Sequence, residues 1–224
     1  MTSPQQTTTA QAKDPGKVIL DWLTTHRRMA YGIAAALAAI AFSGWFYVSY
    51  RHRLEARAED SLQAAQVAMQ TGNLALAASD LSRLISEYSG TIAAGEGTVM
   101  LGRVRLIQNQ PTLAAEELRR AIDGGLDDQF RAPALGLLGA ALEEIGNMSQ
   151  AGEAYERAAA QAWYPFLAAE YLNDAGRAYV AAHDTAAAVA AYQRVVDGFQ
   201  DSPGLLEARV RLAELKAAQQ PPSS

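Results

Sequence analysis

The sequence predicts an all-α protein: one N-terminal transmembrane helix, then an α-solenoid of about four helix pairs, then a C-terminal capping helix. Three observations support this fold class. A stretch of 22 residues near the N-terminus holds no charged side chain. Beyond it, small and large apolar residues recur with a period of 37 residues, as in proteins built from stacked repeats. The same region is rich in Ala, Leu, Glu and Arg, which favour helices, and lacks the alternating Val, Ile and Thr of strands.

The uncharged stretch runs from Met29 to Tyr50. As a helix it would be about 33 Å long, enough to cross a hydrocarbon core of about 30 Å. Aromatic residues gather at its C-terminal end and arginines flank both ends, as is typical of membrane interfaces. A cleaved signal peptide and a buried core helix are the alternatives. The polar head is long for a signal peptide, and core helices usually contain shorter uncharged stretches.

This stretch divides the chain into four segments. Residues 1–28 are predicted to be a disordered head that ends in a short interfacial helix, because Gln, Thr, Ser and Pro dominate its first part and apolar residues then share one helix face. Residues 29–50 form the transmembrane helix, residues 51–218 the helical repeat domain, and residues 219–224 a disordered tail. Residues 51–224 hold 15 Lys or Arg and 22 Asp or Glu, which argues against nucleic acid and anionic lipid as partners.

Small residues lie four apart within the uncharged stretch, and this spacing lets two helices approach closely in a membrane. A general abundance of alanine would give the same pattern. The predicted transmembrane packing face consists of Gly32, Ala36, Ala39 and Ser43. The partners we expect are therefore proteins, including another transmembrane helix.

Two sets of positions share the 37-residue period. The first set has a small residue followed four residues later by a large apolar one, and the second has a glycine. Turn residues such as Gly146-Asn147 recur between them, so each unit is predicted to be a first helix, a tight turn and a second helix, in contact at the small residues. The predicted repeat-packing positions are Ala77, Leu81, Gly102, Ala114, Leu118, Gly139, Ala151, Tyr155, Gly176, Ala188 and Tyr192.

These positions resemble those of the tetratricopeptide repeat (TPR) family, which has Leu-Gly in the first helix, Gly or Asn in the turn, and Ala then Tyr or Phe in the second helix. The third unit matches best, with Leu138, Gly139, Gly146, Ala151 and Tyr155. The usual period of the family is about 34 residues, so three extra residues are expected in the link between repeats. The first unit departs most from the family pattern. Residues 205–218 are expected to form the capping helix of the stack.

The resemblance also implies a partner-binding groove, because the first helices of a TPR stack line its concave face. The candidate groove residues are Val99, Arg103, Asn173 and Arg177. Gly136 and Ala140 take the equivalent places in the third repeat and break the Lys, Asn and Arg clamp by which some TPR domains hold acidic chaperone termini. Such a ligand is therefore not expected. Arg103 and Arg177 are expected either to contact acidic groups of a partner or to be ordinary solvated arginines.

No motif indicates catalysis. The chain has no cysteine and three histidines, none of them in a metal-peptidase, hydrolase or nucleotide-binding motif. We therefore expect no enzyme activity, no cofactor, no metal and no small-molecule substrate. The acid pair Glu143-Glu144 is interpreted as solvated surface. The cluster from Trp163 to Phe166 is interpreted as packing an inter-repeat link onto the core, with an exposed docking patch as the alternative.

A short head, one span and about four TPRs resemble the layout of single-span bacterial inner-membrane TPR proteins, among them the ancillary Sec translocon subunit that faces the periplasm. Basic residues flank the stretch almost evenly, so the positive-inside rule does not decide its orientation. An uncleaved anchor of this kind implies a cytoplasmic N-terminus and a periplasmic repeat domain. The implied function is a non-catalytic scaffold for partners in translocation, folding or assembly of envelope proteins. The alternatives are a structural accessory subunit of a larger integral membrane complex and, third, an enzyme regulator on the cytoplasmic side.

Overall fold

The computed structural model describes residues 26–218, apart from the side chains of Arg27, Ala30, Ile33 and Ala34. Most of the predicted head and interfacial helix and the whole predicted tail lie outside the described residues. Residues 26–218 contain nine α-helices and no strand. The helices are α1 (Arg27–Gln70), α2 (Leu74–Glu87), α3 (Ile92–Ile107), α4 (Pro111–Asp123), α5 (Asp128–Ile145), α6 (Met148–Gln161), α7 (Pro165–Ala181), α8 (Thr185–Gly198) and α9 (Leu205–Ala218).

The chain divides into two compact units, Met1–His52 and Arg53–Ser224. In the first unit, the described large apolar side chains of α1 from Met29 to Tyr50 are exposed by half or more. Among the described residues, no helix is both long and apolar enough to span a membrane. The transmembrane helix predicted over residues 29–50 is therefore not shown, and it stays a prediction.

The second unit is a stack of helix pairs, which confirms the predicted all-α, TPR-like solenoid. From α2 to α9, helices that follow one another in the chain pack together, and α3 also contacts α5, as α7 contacts α9. Three clusters of buried apolar residues, rich in Ala and Leu, run through the stack. The first repeat departs most from the family pattern, yet its first helix is present, because Ala58, Leu62 and Ala65 of α1 lie in the core with α2 and α3.

The turn inside each pair has the same backbone conformation. Gly72, Asn109, Gly146 and His183 have φ values of 76°, 58°, 90° and 60°, and each lies 37 residues after the one before. This left-handed conformation suits glycine and is tolerated best by Asn, Asp and His among the other residues. The period read from the apolar residues is thus also the period of the backbone.

Small residues let the two helices of a pair approach. A β-carbon built on Gly102 would lie 2.8 Å from Leu118 Cδ2, and one built on Gly176 would lie 2.5 Å from Tyr192 Cζ. The alanines, leucines and tyrosines of the repeat-packing positions are all buried: Ala77, Leu81, Ala114, Leu118, Ala151, Tyr155, Ala188 and Tyr192. Large rings and isobutyl groups on the second helix therefore fill the space that the glycines of the first helix leave.

The links between successive pairs are short, contrary to the expectation that three extra residues lengthen them. They comprise residues 88–91, 124–127, 162–164 and 199–204. The first helices α3, α5 and α7 have 16, 18 and 17 residues, whereas the second helices α2, α4, α6 and α8 have 14, 13, 14 and 14. The longer elements of the repeat are thus its first helices, not its links.

Candidate protein-interaction surface

The candidate groove residues lie on two first helices, Val99 and Arg103 on α3 and Asn173 and Arg177 on α7. Val99 is half-buried against the largest core cluster, and Arg103 is exposed. Asn173 is only 5% exposed, so it is not a free groove side chain. Arg177 is exposed by about half but is held by two carboxylates. The four residues thus have different environments, and their binding role stays a prediction.

Arg177 joins α5 to α7. Its Nη1 donates to Asp174 Oδ1 at 2.9 Å, and its Nη2 donates to Glu143 Oε2 at 3.4 Å. The same Glu143 oxygen accepts a hydrogen bond of 2.9 Å from the Tyr155 hydroxyl on α6. The interpretation of Glu143 as solvated surface is therefore wrong, because the packing of α6 and α7 brings a phenol and a guanidinium to its carboxylate. Neighbouring Glu144 is exposed.

Burial controls the ionisation of this network. It raises the pKa of the Tyr155 phenol above its usual range, and the adjacent Glu143 carboxylate adds to this effect. Burial also raises the pKa of Asp174; Arg177 opposes this shift, while Glu143 and Glu170 reinforce it. The network therefore holds more carboxylates than one guanidinium can compensate.

A similar arrangement lies one helix further along. The Tyr179 hydroxyl donates to Glu156 Oε2 at 3.1 Å, and Arg194 Nη1 donates to Glu156 Oε1 at 2.9 Å. Burial, followed by the charge of Glu156, raises the pKa of Tyr179. In each case a tyrosine packed on a small residue uses its hydroxyl to hold a glutamate at the surface of the stack. These tyrosines act as structural residues that order surface carboxylates.

A cavity of about 360 Å³ lies where α7, the 199–204 link and α9 meet, and we call it the acidic cavity. It is lined by Phe166, Glu170, Asn173, Asp174, Ser202, Pro203, Gly204 and Glu207. Three of these residues are acids and none is basic. Sequence reasoning missed this site because Glu207 lies 33 residues beyond Asp174 in the chain, and only the fold brings them together. The spacing of Glu170 and Asp174, one helical turn apart, was the available signal.

The aromatic residues before and at the start of α7 are exposed, so the prediction that they pack a link onto the core is wrong. The exposed fractions are 71% for Trp163, 59% for Tyr164 and 51% for Phe166. Alanines take the inner positions here, because Ala168 and Ala169 are buried behind them. Tyr164 and Phe166 stack with ring centroids 5.7 Å apart. We call Trp163, Tyr164 and Phe166 the aromatic patch.

The predicted transmembrane packing residues Gly32, Ala36, Ala39 and Ser43 are exposed on α1. A β-carbon added to Gly32 would have no neighbour within 4 Å.

No group of three or more His, Asp or Glu side chains in the described part of the chain is placed to hold a metal ion. What the described surface offers is thus charge, aromatic rings and small-residue faces, which are means of binding another polypeptide.

Comparison with known proteins agrees with this geometry. A family model described as a tetratricopeptide repeat-like domain matches residues 21–219, and the chain belongs to this family. Domains of this family are generally non-catalytic and bind other proteins. No curated protein matches the chain.

Solved structures show the same fold. A tetratricopeptide repeat protein from Parabacteroides merdae is 15% identical with a TM-score of 0.57, over 72% of this chain and 60% of that one. This chain therefore spans less than two thirds of that protein. MamA is 20% identical with a TM-score of 0.55, over 69% of this chain and 84% of that one. The TPR-like repeats of a putative kinesin light chain from Podosopora anserina are 19% identical with a TM-score of 0.56, over 73% of this chain and 87% of that one. At these identities the likeness shows the fold alone.

Proposed function

We propose that this protein is a non-catalytic scaffold at the bacterial inner membrane, whose TPR-like stack binds partner proteins during translocation, folding or assembly of envelope proteins. The proposal rests on what the chain exposes. The solenoid leaves charged and aromatic side chains available to a partner, and a helix segment of the same chain exposes apolar side chains. The role in the envelope is supported by the resemblance in layout to single-span inner-membrane TPR proteins.

Membrane attachment is assigned to residues 29–50. In the described part of this segment, the large apolar side chains Met29, Tyr31, Leu37, Ile40, Phe42, Trp45, Phe46, Tyr47, Val48 and Tyr50 are exposed by 53–74%. A continuous apolar surface of this kind marks contact with a membrane or a protein. The stack itself is acidic, with Lys216 its only lysine, so anionic head groups repel it. We propose that the N-terminus is cytoplasmic and the stack periplasmic, as is usual for an uncleaved N-terminal anchor that precedes a folded domain.

A structural accessory subunit of a larger integral membrane complex is the second candidate. The small residues Gly32, Ala36, Ala39 and Ser43 favour it, because they are exposed on one helix and leave room for a close helix–helix contact. In this case the transmembrane helix would be part of the interface, not only a tether.

Purification of the full chain from membranes in mild detergent tests both candidates. If the protein is a scaffold, we expect partner proteins to purify with it at less than one copy per chain and to exchange during the preparation. If it is a subunit, we expect partner proteins to purify with it at a fixed ratio. Replacing Gly32 and Ala36 with Leu should release the partners of a subunit but not those of a scaffold. The matched control replaces Ala38 and Ala41, on the opposite side of α1, with Leu. Purification without any associated protein would contradict both candidates.

A further inference from the structure

The acidic cavity has three carboxylates in its lining, and Arg177 and Arg211 beside it offset part of their charge. Glu170, Asp174 and Glu207 line it, and no Lys or Arg does. Asp174 alone of the three has an ion pair, with Arg177, and that guanidinium also serves Glu143. Burial raises the pKa of Asp174, and Glu170 adds to the shift although Arg177 opposes it. A positive group inside the lining, where no Lys or Arg lies, would therefore meet favourable electrostatics.

Asn173 gives an independent indication of a ligand. It lines the cavity and is only 5% exposed. Its Nδ2 donates to the Gly204 carbonyl at 2.9 Å, which fixes the orientation of the amide, since the opposite orientation would place two acceptors together. Its Oδ1 has no hydrogen-bond partner within the described residues. Buried acceptors are normally satisfied, and an N–H donor of a ligand would satisfy this one once the amide turns toward the cavity.

The aromatic patch adjoins the cavity. Phe166 belongs to both, because it lines the cavity and stacks on Tyr164. Trp163, two residues before α7, is 71% exposed. Large aromatic side chains are enriched where proteins bind one another, and an aromatic face beside carboxylates also attracts cations. The two features together form one surface of about ten residues.

We infer that the acidic cavity and the aromatic patch together dock a partner polypeptide segment that presents a lysine or arginine side chain next to an apolar one. The cationic group enters between Glu170, Asp174 and Glu207, beside the buried amide of Asn173, and the apolar neighbour lies on Trp163 and Phe166. This inference rests on the proposed function and adds the chemistry of the partner. A metal ion is not the occupant, because no set of three ligating side chains in the described part of the chain can hold one.

Three peptides test this surface on the full chain. The first carries a Lys-Leu pair in a Gly/Ser background, the second has norleucine in place of Lys, and the third has Asp there. Binding is followed by NMR at the Asn173 side-chain amide and the Trp163 indole N–H. We expect the lysine peptide to shift both signals and to bind at least tenfold more tightly than the other two. Binding should weaken at high salt, because an exposed charge pair is screened.

A charge reversal provides the decisive variant. Glu170→Lys with Glu207→Lys should weaken binding of the lysine peptide at least tenfold and strengthen binding of the Asp peptide. Both side chains are exposed, so the fold should persist, and circular dichroism checks this. The matched control is Glu59→Lys with Glu116→Lys, which changes the net charge equally at two exposed positions outside the surface, and it should bind like the wild type. Phe166→Ser should weaken the binding of both the lysine peptide and the norleucine peptide.

Equal binding of the lysine and norleucine peptides, or an unchanged affinity in the charge-reversed variant, would overturn the inference. The inference would also be overturned if the wild type self-associates and the charge-reversed variant does not, because the surface would then be a contact between two copies of this chain. If the charge-reversed variant still purifies with the partners of the wild type, the inference fails while the proposed scaffold stands. If no partner purifies with any variant, the proposed function itself fails.

Discussion

Gly139 on α5 lies directly under the ring of Tyr155 on α6, so closely that a β-carbon on Gly139 would be 2.7 Å from Tyr155 Cε1. The ring cannot move away easily, because it is buried and its hydroxyl is bonded to Glu143. The same relationship recurs between Gly176 and Tyr192, one repeat later. This contact sets the distance between the two helices of a pair.

Gly139→Ala is therefore expected to destabilise the stack. Alanine gains about 1 kcal/mol of helix propensity, but overpacking costs about 1–3 kcal/mol, and stability in a solenoid passes between neighbouring repeats. Urea denaturation should show a lower midpoint. Gly198→Ala is the control, since a β-carbon there meets nothing within 4 Å, and it should be neutral or stabilising. A Gly139→Ala midpoint at or above that of the wild type would show that this contact is not tight.

The buried phenol of Tyr155 predicts a stability that depends on alkaline pH. Its pKa is raised in the folded chain, above the ordinary value of about 10. Below pH 10 the phenol is neutral in both states and its contribution is complete. Above pH 10 it ionises first in the unfolded chain, so the free energy of unfolding falls as pH rises.

Tyr155→Phe should make this fall shallower. The variant is expected to lose about 1–3 kcal/mol at neutral pH, where the hydrogen bond to Glu143 is lost, and less than that near pH 11. Denaturation at a series of pH values measures both effects. Parallel stability curves for the wild type and Tyr155→Phe above pH 10 would contradict the burial of the phenol. Tyr179→Phe provides a second case, because the pKa of Tyr179 is raised for the same reason.

The turn at His183 has a left-handed backbone with a φ of 60°. A β-branched residue is strained there, so His183→Val is expected to be about 1–2 kcal/mol less stable than His183→Gly, in which no Cβ is present. His183→Gly should be tolerated, since Gly72 and Gly146 take the equivalent places with φ values of 76° and 90°. Ala182→Val is the control, because the φ of Ala182 is −77°. Equal stability of the Val and Gly variants at 183 would refute the assigned conformation.

Much of the fold could be predicted from the sequence because the 37-residue period is carried by packing. Ala151 and Tyr155 must occupy fixed places for helices to touch, so the residue types repeat with the structure. The turns were visible for the same reason, through recurring turn residues such as Gly146-Asn147. The capping helix follows from its amphipathic pattern after Pro203, and the structure begins it at Leu205.

The candidate site was harder to predict because it depends on how the helices stack. Glu143 and Arg177 are 34 residues apart and meet only because α6 packs against both α5 and α7. Trp163 and Phe166 are as apolar as core residues, and the sequence does not say which side of the link they occupy. The alanines behind them fill the core, and this leaves the rings outside. Asn173 is a groove position in the family pattern, yet here its amide is bonded to Gly204.

The proposed orientation predicts the accessibility of the stack to protease. Protease added to spheroplasts should digest residues 51–218 and spare the N-terminal head, because the stack is assigned to the periplasm. A cytoplasmic protein in the same sample should stay intact as the control. Digestion of the stack only after the cells are lysed would place it on the other side.

We propose that residues 29–50 hold a protein-binding stack at a membrane. Alkaline carbonate extraction of membranes tests it most directly, with the full chain compared with a chain that lacks residues 29–50. We expect the full chain to remain in the membrane pellet and the shortened chain to be released completely, since the acidic stack has no affinity of its own for anionic lipid. Release of both chains, or retention of both, would contradict the claim.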